Sequence, residues 1–123
     1  MNGLNSNEID NLTDVEIICL QALESSFVEA DEKFLLRELS FGNYQEDSVC
    51  IFKKDENWEV GIYEKGYFHQ KQVFPNCIDS CKRVIERLSD SKELKRQLLY
   101  NFYCALSEKL FYYSNDKGKS LVR

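Results

Sequence analysis

Apolar side chains recur at spacings of three and four near the start of the chain, in the stretch "LTDVEIICLQALESSF". This spacing places an apolar stripe from Val15 to Leu23 on one side of a helix. Thr13 or Asp14 can cap the helix, and Glu16 stands where a capping box requires an acid relative to Thr13. The pattern therefore predicts an N-terminal helix with a well-defined first turn.

Two more helices are predicted in the second half of the chain. Asn76 is a candidate N-cap for "CIDSCKRVIERLSD", and Asp79 three residues later complements the helix dipole. Ser91 can cap a last helix that extends through Leu110 and has an apolar side of its own. Pro75, the single proline, ends the segment that precedes these helices.

Between the helical segments, apolar and polar residues alternate with the period of a β-strand. Three strands are predicted, at residues 48–53, 58–63 and 67–74. Trp58, Val60 and Ile62 share the face of the second strand that is expected to enter the core. Gly66 ends the turn "EKG" between the second and third strands, where a positive φ is expected. The short connections make the three strands an antiparallel meander.

The order of elements predicts an α+β fold. We expect a small antiparallel three- to four-stranded sheet covered by the N-terminal helix and the two C-terminal helices. Residues 31–41 leave two alternatives. They form either a short second helix from Asp31 or a helical turn that runs into a strand at residues 36–41.

Charge is distributed unevenly along the 123 residues, which are predicted to form one domain with flexible ends at 1–12 and 115–123. The net charge is −5, but residues 1–32 contain eight acids and no Lys or Arg, whereas the other 91 residues carry 13 acids and 16 bases. An acidic face repels nucleic acid and attracts basic partners, or it serves only solubility. With a pI near 4.9, no nucleic-acid partner is expected.

The sequence predicts a cytoplasmic protein without a membrane partner. No apolar run approaches the roughly 18 residues that a membrane-spanning helix requires. The N-terminal stretch "MNGLNSNEIDNLTD" has neither the basic region nor the apolar region of a secretory signal. The five cysteines, an odd number, suit reduced thiols better than a disulfide framework.

The sequence contains none of the common motifs for phosphate cradles, nucleophile elbows or zinc proteases. Cys77, near the start of a helix, is the best candidate nucleophile, against the alternative of a thiol packed as a small apolar side chain. Cys77 and Cys81 are one helical turn apart, but His69 is the single histidine and there is no second Cys pair, so a tetrahedral zinc site has few possible ligands. We therefore predict no enzyme activity, no cofactor and no metal.

The last helix contains more aromatic residues than one stripe can bury, in "LLYNFYCALSEKLFYY". At 3.6 residues per turn, Tyr100, Tyr103 and Phe111 point away from the apolar line that contains Leu98 and Phe102, or flank it. Exposed aromatics are typical of protein interfaces. The alternative is a helix that buries two faces between its neighbours.

One segment, Val49–Leu88, resembles a known family. It contains "W-x-V-x-x-Y-E-K-G" over Trp58–Gly66, then Phe74, then "C-I-D-S-C…V-I-E-R-L" in a helix. This combination is similar to small bacterial immunity proteins, the cytoplasmic antitoxins of polymorphic toxin systems, including those paired with LXG-type toxins of Gram-positive bacteria. Lys65 stands where Arg is more usual in that pattern, and Cys81 where Ala is expected.

The resemblance implies a binding protein that holds a cognate toxin domain in the producing cell and occludes its active site. An adaptor or chaperone-like module for a secreted effector is the alternative. In such a complex, acidic residues would pair with a basic groove and aromatic residues would anchor it. A monomer and a homodimer are both compatible with the sequence. The predicted partner-binding residues are Glu16, Glu24, Glu29, Asp31, Glu32, Tyr100, Tyr103 and Tyr112.

Overall fold

The computed structural model describes residues 12–115, and the elements in this range follow the predicted order. The predicted flexible ends lie outside the described residues, except for Leu12 and Asn115. The helices are α1 (Asp14–Glu29), α2 (Cys77–Leu88) and α3 (Lys92–Asn115), and a 3-10 helix spans Lys33–Glu38. The strands are β1 (Leu39–Phe41), β2 (Ser48–Lys54), β3 (Asn57–Glu64) and β4 (Tyr67–Phe74).

The four strands form one sheet in the order β1-β2-β3-β4. Strands β2, β3 and β4 make the predicted antiparallel meander. Strand β1 pairs parallel to β2, with Leu39 beside Val49 and Phe41 beside Ile51, so the sheet is mixed. The α+β fold class is confirmed, and the expectation of purely antiparallel pairing is corrected at this one edge.

The parallel pairing of β1 is possible because this strand is short. Three residues span about 10 Å, so the loop of residues 42–47 is long enough to return the chain to the start of β2. Gly42 and Asp47 lie at the two ends of the loop with φ angles of 74° and 60°. For residues 31–41, the alternative of a helical turn followed by a strand is the correct one.

Polar side chains fix the starts of the three helices. The capping box of α1 is confirmed, since the Thr13 hydroxyl accepts the Glu16 N–H at 3.1 Å and Glu16 Oε1 accepts the Thr13 N–H at 2.9 Å. Asn76 caps α2 by accepting the backbone N–H three residues further on at 2.9 Å. The Ser91 hydroxyl accepts the Leu94 N–H at 3.0 Å at the start of α3.

The helices cover one face of the sheet in two layers. Helix α2 packs directly on β2, β3 and β4, and α1 lies beside α2. Helix α3 packs mainly along α1 and less on α2, so it forms an outer layer rather than a direct cover of the sheet. Because α1 has neighbours on two sides, Leu20 and Phe27 are buried in addition to the predicted stripe. Val15, in the first turn, is exposed.

An aromatic cluster covers the opposite face of the sheet. The rings of Tyr44, Phe52, Tyr63 and Phe68 contact one another with centroids 5.0–5.6 Å apart. Gly61 faces this cluster, and a Cβ built at this position would lie 2.6 Å from Phe68 Cζ. The glycine inside the strand "WEVGIY" is therefore required by the packing of the Phe68 ring.

The turn between β3 and β4 has the predicted glycine. Lys65 and Gly66 have φ angles of 54° and 78°, the combination expected for a two-residue hairpin loop with positive φ at both positions. The side chain of Glu46 accepts the backbone N–H of Lys65 and so ties this turn to the loop before β2.

Trp58 joins the sheet to α1. Its side chain is buried in the core together with Val60, as predicted, and its indole N–H donates to Glu16 Oε2 at 3.0 Å. Lys53, the cross-strand partner of Trp58 on β2, places its Nζ 3.0 Å from Glu16 Oε1. Burial would raise the pKa of Glu16, but hydrogen bonds from Thr13, Lys53 and Trp58 and the charge of Lys53 together lower it below its ordinary value.

We expect Glu16→Gln to lower the free energy of unfolding at pH 7 by about 1–3 kcal/mol, because a buried indole N–H and Lys53 lose their charged acceptor. The lowered pKa sets the sign of the pH dependence. The stabilisation is complete above the ordinary value of 4.5 and disappears as the pH falls through the value in the folded protein. Urea unfolding at pH 7 and at pH 3 measures the difference between the two proteins.

Glu24→Gln is the matched control, since Glu24 lies on the same helix without these partners. A gap between wild type and Glu16→Gln of equal size at both pH values would contradict the assigned role of the carboxylate charge.

Candidate protein-binding surface

Helix α3 buries one stripe and leaves most of its aromatic residues in solvent. Leu98, Phe102 and Leu106, at spacings of four, are its buried residues. Tyr100 is 68% exposed and Phe111 is 63% exposed, and Tyr103 and Tyr112 are also exposed. Of the two alternatives for α3, the helix with exposed aromatics is the correct one, and the helix that buries two faces is wrong.

Three of the exposed residues are aligned along α3. Tyr100, Cys104 and Phe111 are separated by four and seven residues, a spacing that brings side chains to the same side of a helix. Tyr103 flanks this line, whereas Tyr112 lies about a third of a turn away from Tyr100 around the helix. An exposed helix face with several large aromatics is unusual for a surface that contacts only water.

A depression of about 380 Å³ separates this aromatic face from α1. Asn101 spans the two helices at its edge, donating from Nδ2 to the backbone oxygen of Ser26 at 3.2 Å. The depression is lined by Ser25, Glu29, Tyr100, Asn101, Cys104, Ala105, Glu108 and Lys109. The structure thus brings together Glu29 and Tyr100, two of the predicted partner-binding residues from opposite ends of the sequence.

Acidic residues collect at the C-terminal end of α1, where a helix dipole favours positive charge. Glu29 is the last residue of α1, Asp31 and Glu32 follow directly, and the last turn contains no basic residue. Glu29 and Asp31 are exposed, and Glu32 is half-buried. Asp31 also has a positive φ of 57°. This placement opposes the local electrostatic preference, a departure that occurs most often at functional sites.

The two other predicted acids lie elsewhere. Both oxygens of Glu16 are engaged inside the protein by Thr13, Lys53 and Trp58, so this carboxylate is a structural group and is not available to a partner. Glu24 is half-buried on α1 and, five residues from Glu29, points about 140° away from it. Neither residue belongs to the surface formed by α1 and α3.

Two residues of this surface were not among the predicted ones. Glu108 is four residues after Cys104, a spacing that brings the two side chains to the same side of α3, so helical periodicity could have found it. Asn101 is recognisable only once Ser26 is known to lie opposite. Its role depends on the packing of α3 along α1, which no local pattern reveals.

Cys104 is the exposed cysteine of the five, and the other four are buried. A hydrogen bond with Cys104 raises the pKa of the Tyr100 hydroxyl above its ordinary value. The hydroxyl lies at the edge of the depression that Glu29, Glu108 and Lys109 also line.

Cys77, the candidate nucleophile, lies in a buried environment. Its side-chain hydrogen bond to Cys19 raises the pKa of the Cys77 thiol, and that of Cys19 is lowered to about 5 by hydrogen bonds from Cys77 and Cys81. His69 lies 3.2 Å from Glu64 through Nε2 on an exposed hairpin. This arrangement does not favour a cysteine–histidine pair.

We compared the chain with known protein families, curated proteins and solved structures. The chain matched no protein-family model, no curated protein and no solved structure. None of the helices within residues 12–115 combines the length and the apolar character that crossing a membrane requires.

We expect Tyr100→Ala and Phe111→Ala to leave the free energy of unfolding within about 0.5 kcal/mol of wild type, because both side chains are exposed. Phe102→Ala, one stripe away on the same helix and fully buried, should lower it by about 3–5 kcal/mol. Urea denaturation of the three variants makes the comparison. A large loss for Tyr100→Ala would show that this side chain packs in the fold and is not free for a partner.

Proposed function

We propose that this chain is an immunity protein that binds a cognate toxin domain and occludes its active site, with the surface of α1 and α3 as the contact. The observation that carries the proposal is the aromatic face of α3 beside the acidic end of α1. Tyr100 and Phe111 project from a folded helix into solvent, while Glu29 and Glu108 border the adjacent depression. Aromatic anchors surrounded by charge are the usual composition of a strong protein interface.

A protein partner fits this surface better than a small molecule does. Small-molecule sites are concave and mostly apolar, and they enclose most of the ligand. The aromatic side chains here stand on the outside of a helix, and the depression beside them is lined mainly by polar and charged groups. A flat or gently ridged partner surface can contact all of them at once.

The charge on the surface favours a basic partner. Glu29, Asp31 and Glu32 lie together without a basic residue in the last turn of α1. The depression beside them is lined by two acids, Glu29 and Glu108, and one base, Lys109, so it remains acidic on balance. Acidic groups arranged in this way accelerate the encounter with a basic surface and exclude acidic ones. A toxin that acts on nucleic acid has a basic substrate groove, and blocking that groove would neutralise it.

We infer the biological role from the resemblance to immunity proteins. In the fold, the residues that carry this resemblance are separate from the proposed contact surface. Trp58 and Val60 of the "W-x-V" pattern are core residues, and Gly66 forms a turn. The residues that carry the resemblance therefore build the scaffold. The surface that meets the toxin would differ between members, since each must fit its own partner.

Co-expression with the product of an adjacent toxin gene tests the proposal. We expect cells that produce the toxin domain to survive when this chain is present. We expect Tyr100→Ala and Phe111→Ala to weaken binding about 30-fold each, the equivalent of about 2 kcal/mol for a central aromatic anchor. Titration calorimetry with a catalytically inactive toxin domain measures the affinity.

Tyr67→Ala is the control, because Tyr67 is 74% exposed on the hairpin between β3 and β4, away from α3. Toxicity that persists in the presence of the wild-type chain would overturn the immunity proposal. A complex that forms without neutralisation would favour the adaptor or chaperone-like alternative.

Glu29→Lys separates binding from folding. The substitution places a cation at the C-terminus of α1, so we expect the free energy of unfolding to rise by about 0.3–1 kcal/mol. The same change should slow association with a basic toxin, and the difference from wild type should shrink as salt is raised. Stopped-flow association at low and high ionic strength measures the effect.

The control for this charge reversal is Asp90→Lys, at an exposed position between α2 and α3. Equal association rates for Glu29→Lys and wild type at low salt would place the contact outside the α1–α3 surface. The double substitution at Asp31 and Glu32 should act in the same direction as Glu29→Lys.

A further inference from the structure

Three buried thiols converge where α1 meets α2. Cys19 lies in the middle of α1, and Cys77 and Cys81 lie one turn apart on α2. The Sγ atoms of Cys19 and Cys81 are 3.6 Å apart, and those of Cys77 and Cys81 are 3.9 Å apart. All three sulfurs lie within 4.8 Å of one another. Cys19 is separated from Cys81 by 62 residues, so the spacing of cysteines in the sequence does not reveal this cluster.

The distances match those of sulfur ligands around one metal ion. Zinc–thiolate bonds of about 2.3 Å in a tetrahedral arrangement place neighbouring sulfurs about 3.8 Å apart. The two measured separations of 3.6 and 3.9 Å lie on either side of this value. Two of the three sulfur pairs therefore lie at coordinating separations, and the third pair, Cys19 and Cys77, lies within 4.8 Å.

The cluster has an access route. A surface depression of about 330 Å³ includes Cys19 and Cys77 in its lining, together with Glu16 and Lys53 at its polar side. Cys77 is slightly exposed on this side, and Cys81 is fully buried behind it, so an ion would enter past Cys77. Because Glu16 already accepts hydrogen bonds from Thr13, Lys53 and Trp58, its carboxylate is poorly placed to be the fourth ligand. Water from the depression would complete a tetrahedron.

The three sulfurs face one another between the two helices. Cys77 is the first residue of α2, and Cys81 follows one turn later on the same side of the helix, with both sulfurs close to Cys19 on α1. Contact with Cys19 raises the pKa of the Cys77 thiol and burial raises that of Cys81, so the positive charge that holds the thiolates would come from the metal ion itself.

From this juxtaposition we infer that Cys19, Cys77 and Cys81 form a binding site for one thiophilic metal ion of the Zn²⁺ class, with an exchangeable fourth ligand facing the depression. Three thiolates with a solvent-derived ligand are a donor set suited to zinc. Binding replaces the thiol protons by the metal ion and releases them to solvent, so affinity should increase with pH. The ion would cross-link α1 to α2. The site is independent of the toxin-binding proposal.

Cobalt(II) is a suitable spectroscopic probe of this site in the full-length, reduced protein. We expect stoichiometric binding of one ion, a sulfur-to-metal charge-transfer band in the near ultraviolet, and displacement by Zn²⁺. Cys19→Ala and Cys81→Ala should each abolish the band. Cys50→Ala, in buried strand β2, and Cys104→Ala, at the exposed cysteine, are matched controls and should retain it.

A measurement on the wild-type protein covers the case in which a core variant fails to fold. X-ray absorption of the zinc-loaded chain should count three sulfur ligands and one light-atom ligand. Circular dichroism identifies any variant that is unfolded. The inference is overturned if no ion binds, if the bound zinc has fewer than three sulfur ligands, or if a folded Cys81→Ala variant keeps the charge-transfer band.

Discussion

The carboxylate of Glu16 is the contact on which the arrangement of helices over the sheet depends. It accepts hydrogen bonds from the backbone of Thr13, the N-cap of α1, from Lys53 on β2 and from the buried indole of Trp58 on β3. A partly buried carboxylate is costly unless its oxygens are satisfied, and here three donors satisfy it. The same group therefore starts a helix and docks that helix on the sheet.

The position of α1 in turn decides where the two proposed sites lie. Helix α3 packs mainly along α1, and the depression that brings Glu29 beside Tyr100 exists because these two helices meet there. On its other side α1 meets α2, which brings Cys19 next to Cys77 and Cys81. A metal ion bound to the thiols would cross-link α1 to α2. Helix α1 also carries the acidic residues that face solvent beside α3.

The division between scaffold and surface explains why the most conspicuous stretch of the sequence is not the proposed site. In "NWEVGIYEKG", Trp58 and Val60 fill the core, Gly61 makes room for the Phe68 ring, and Gly66 allows the hairpin turn. Each residue satisfies a requirement of packing or of backbone conformation. The side chains of Glu29 and of the exposed aromatics of α3 satisfy no such requirement, which makes them the better candidates for contact with another protein.

Local patterns were enough to predict the features that depend on neighbours in sequence. The capping box at Thr13 follows from a spacing of three residues, and the turn of a helix places Tyr100 away from the buried stripe of Leu98 and Phe102. For the same reason the three-stranded meander and the α+β class were predictable from alternation and short connections.

Contacts between distant segments were decided only in the tertiary structure. Three contacts illustrate this: the parallel pairing of β1 with β2, the hydrogen bond from Trp58 to Glu16, and the approach of Cys19 to Cys81. Neither helical nor strand periodicity predicts which residues meet in these contacts. Glu16 carries the same charge as Glu29 and sits on the same predicted helix, but the first is enclosed by the sheet and the second reaches solvent. Outside residues 31–41, the sequence by itself determined which elements form and which of their faces are apolar. How the helices pack on one another, an outcome of the whole core, decided which acids, aromatics and thiols share a site.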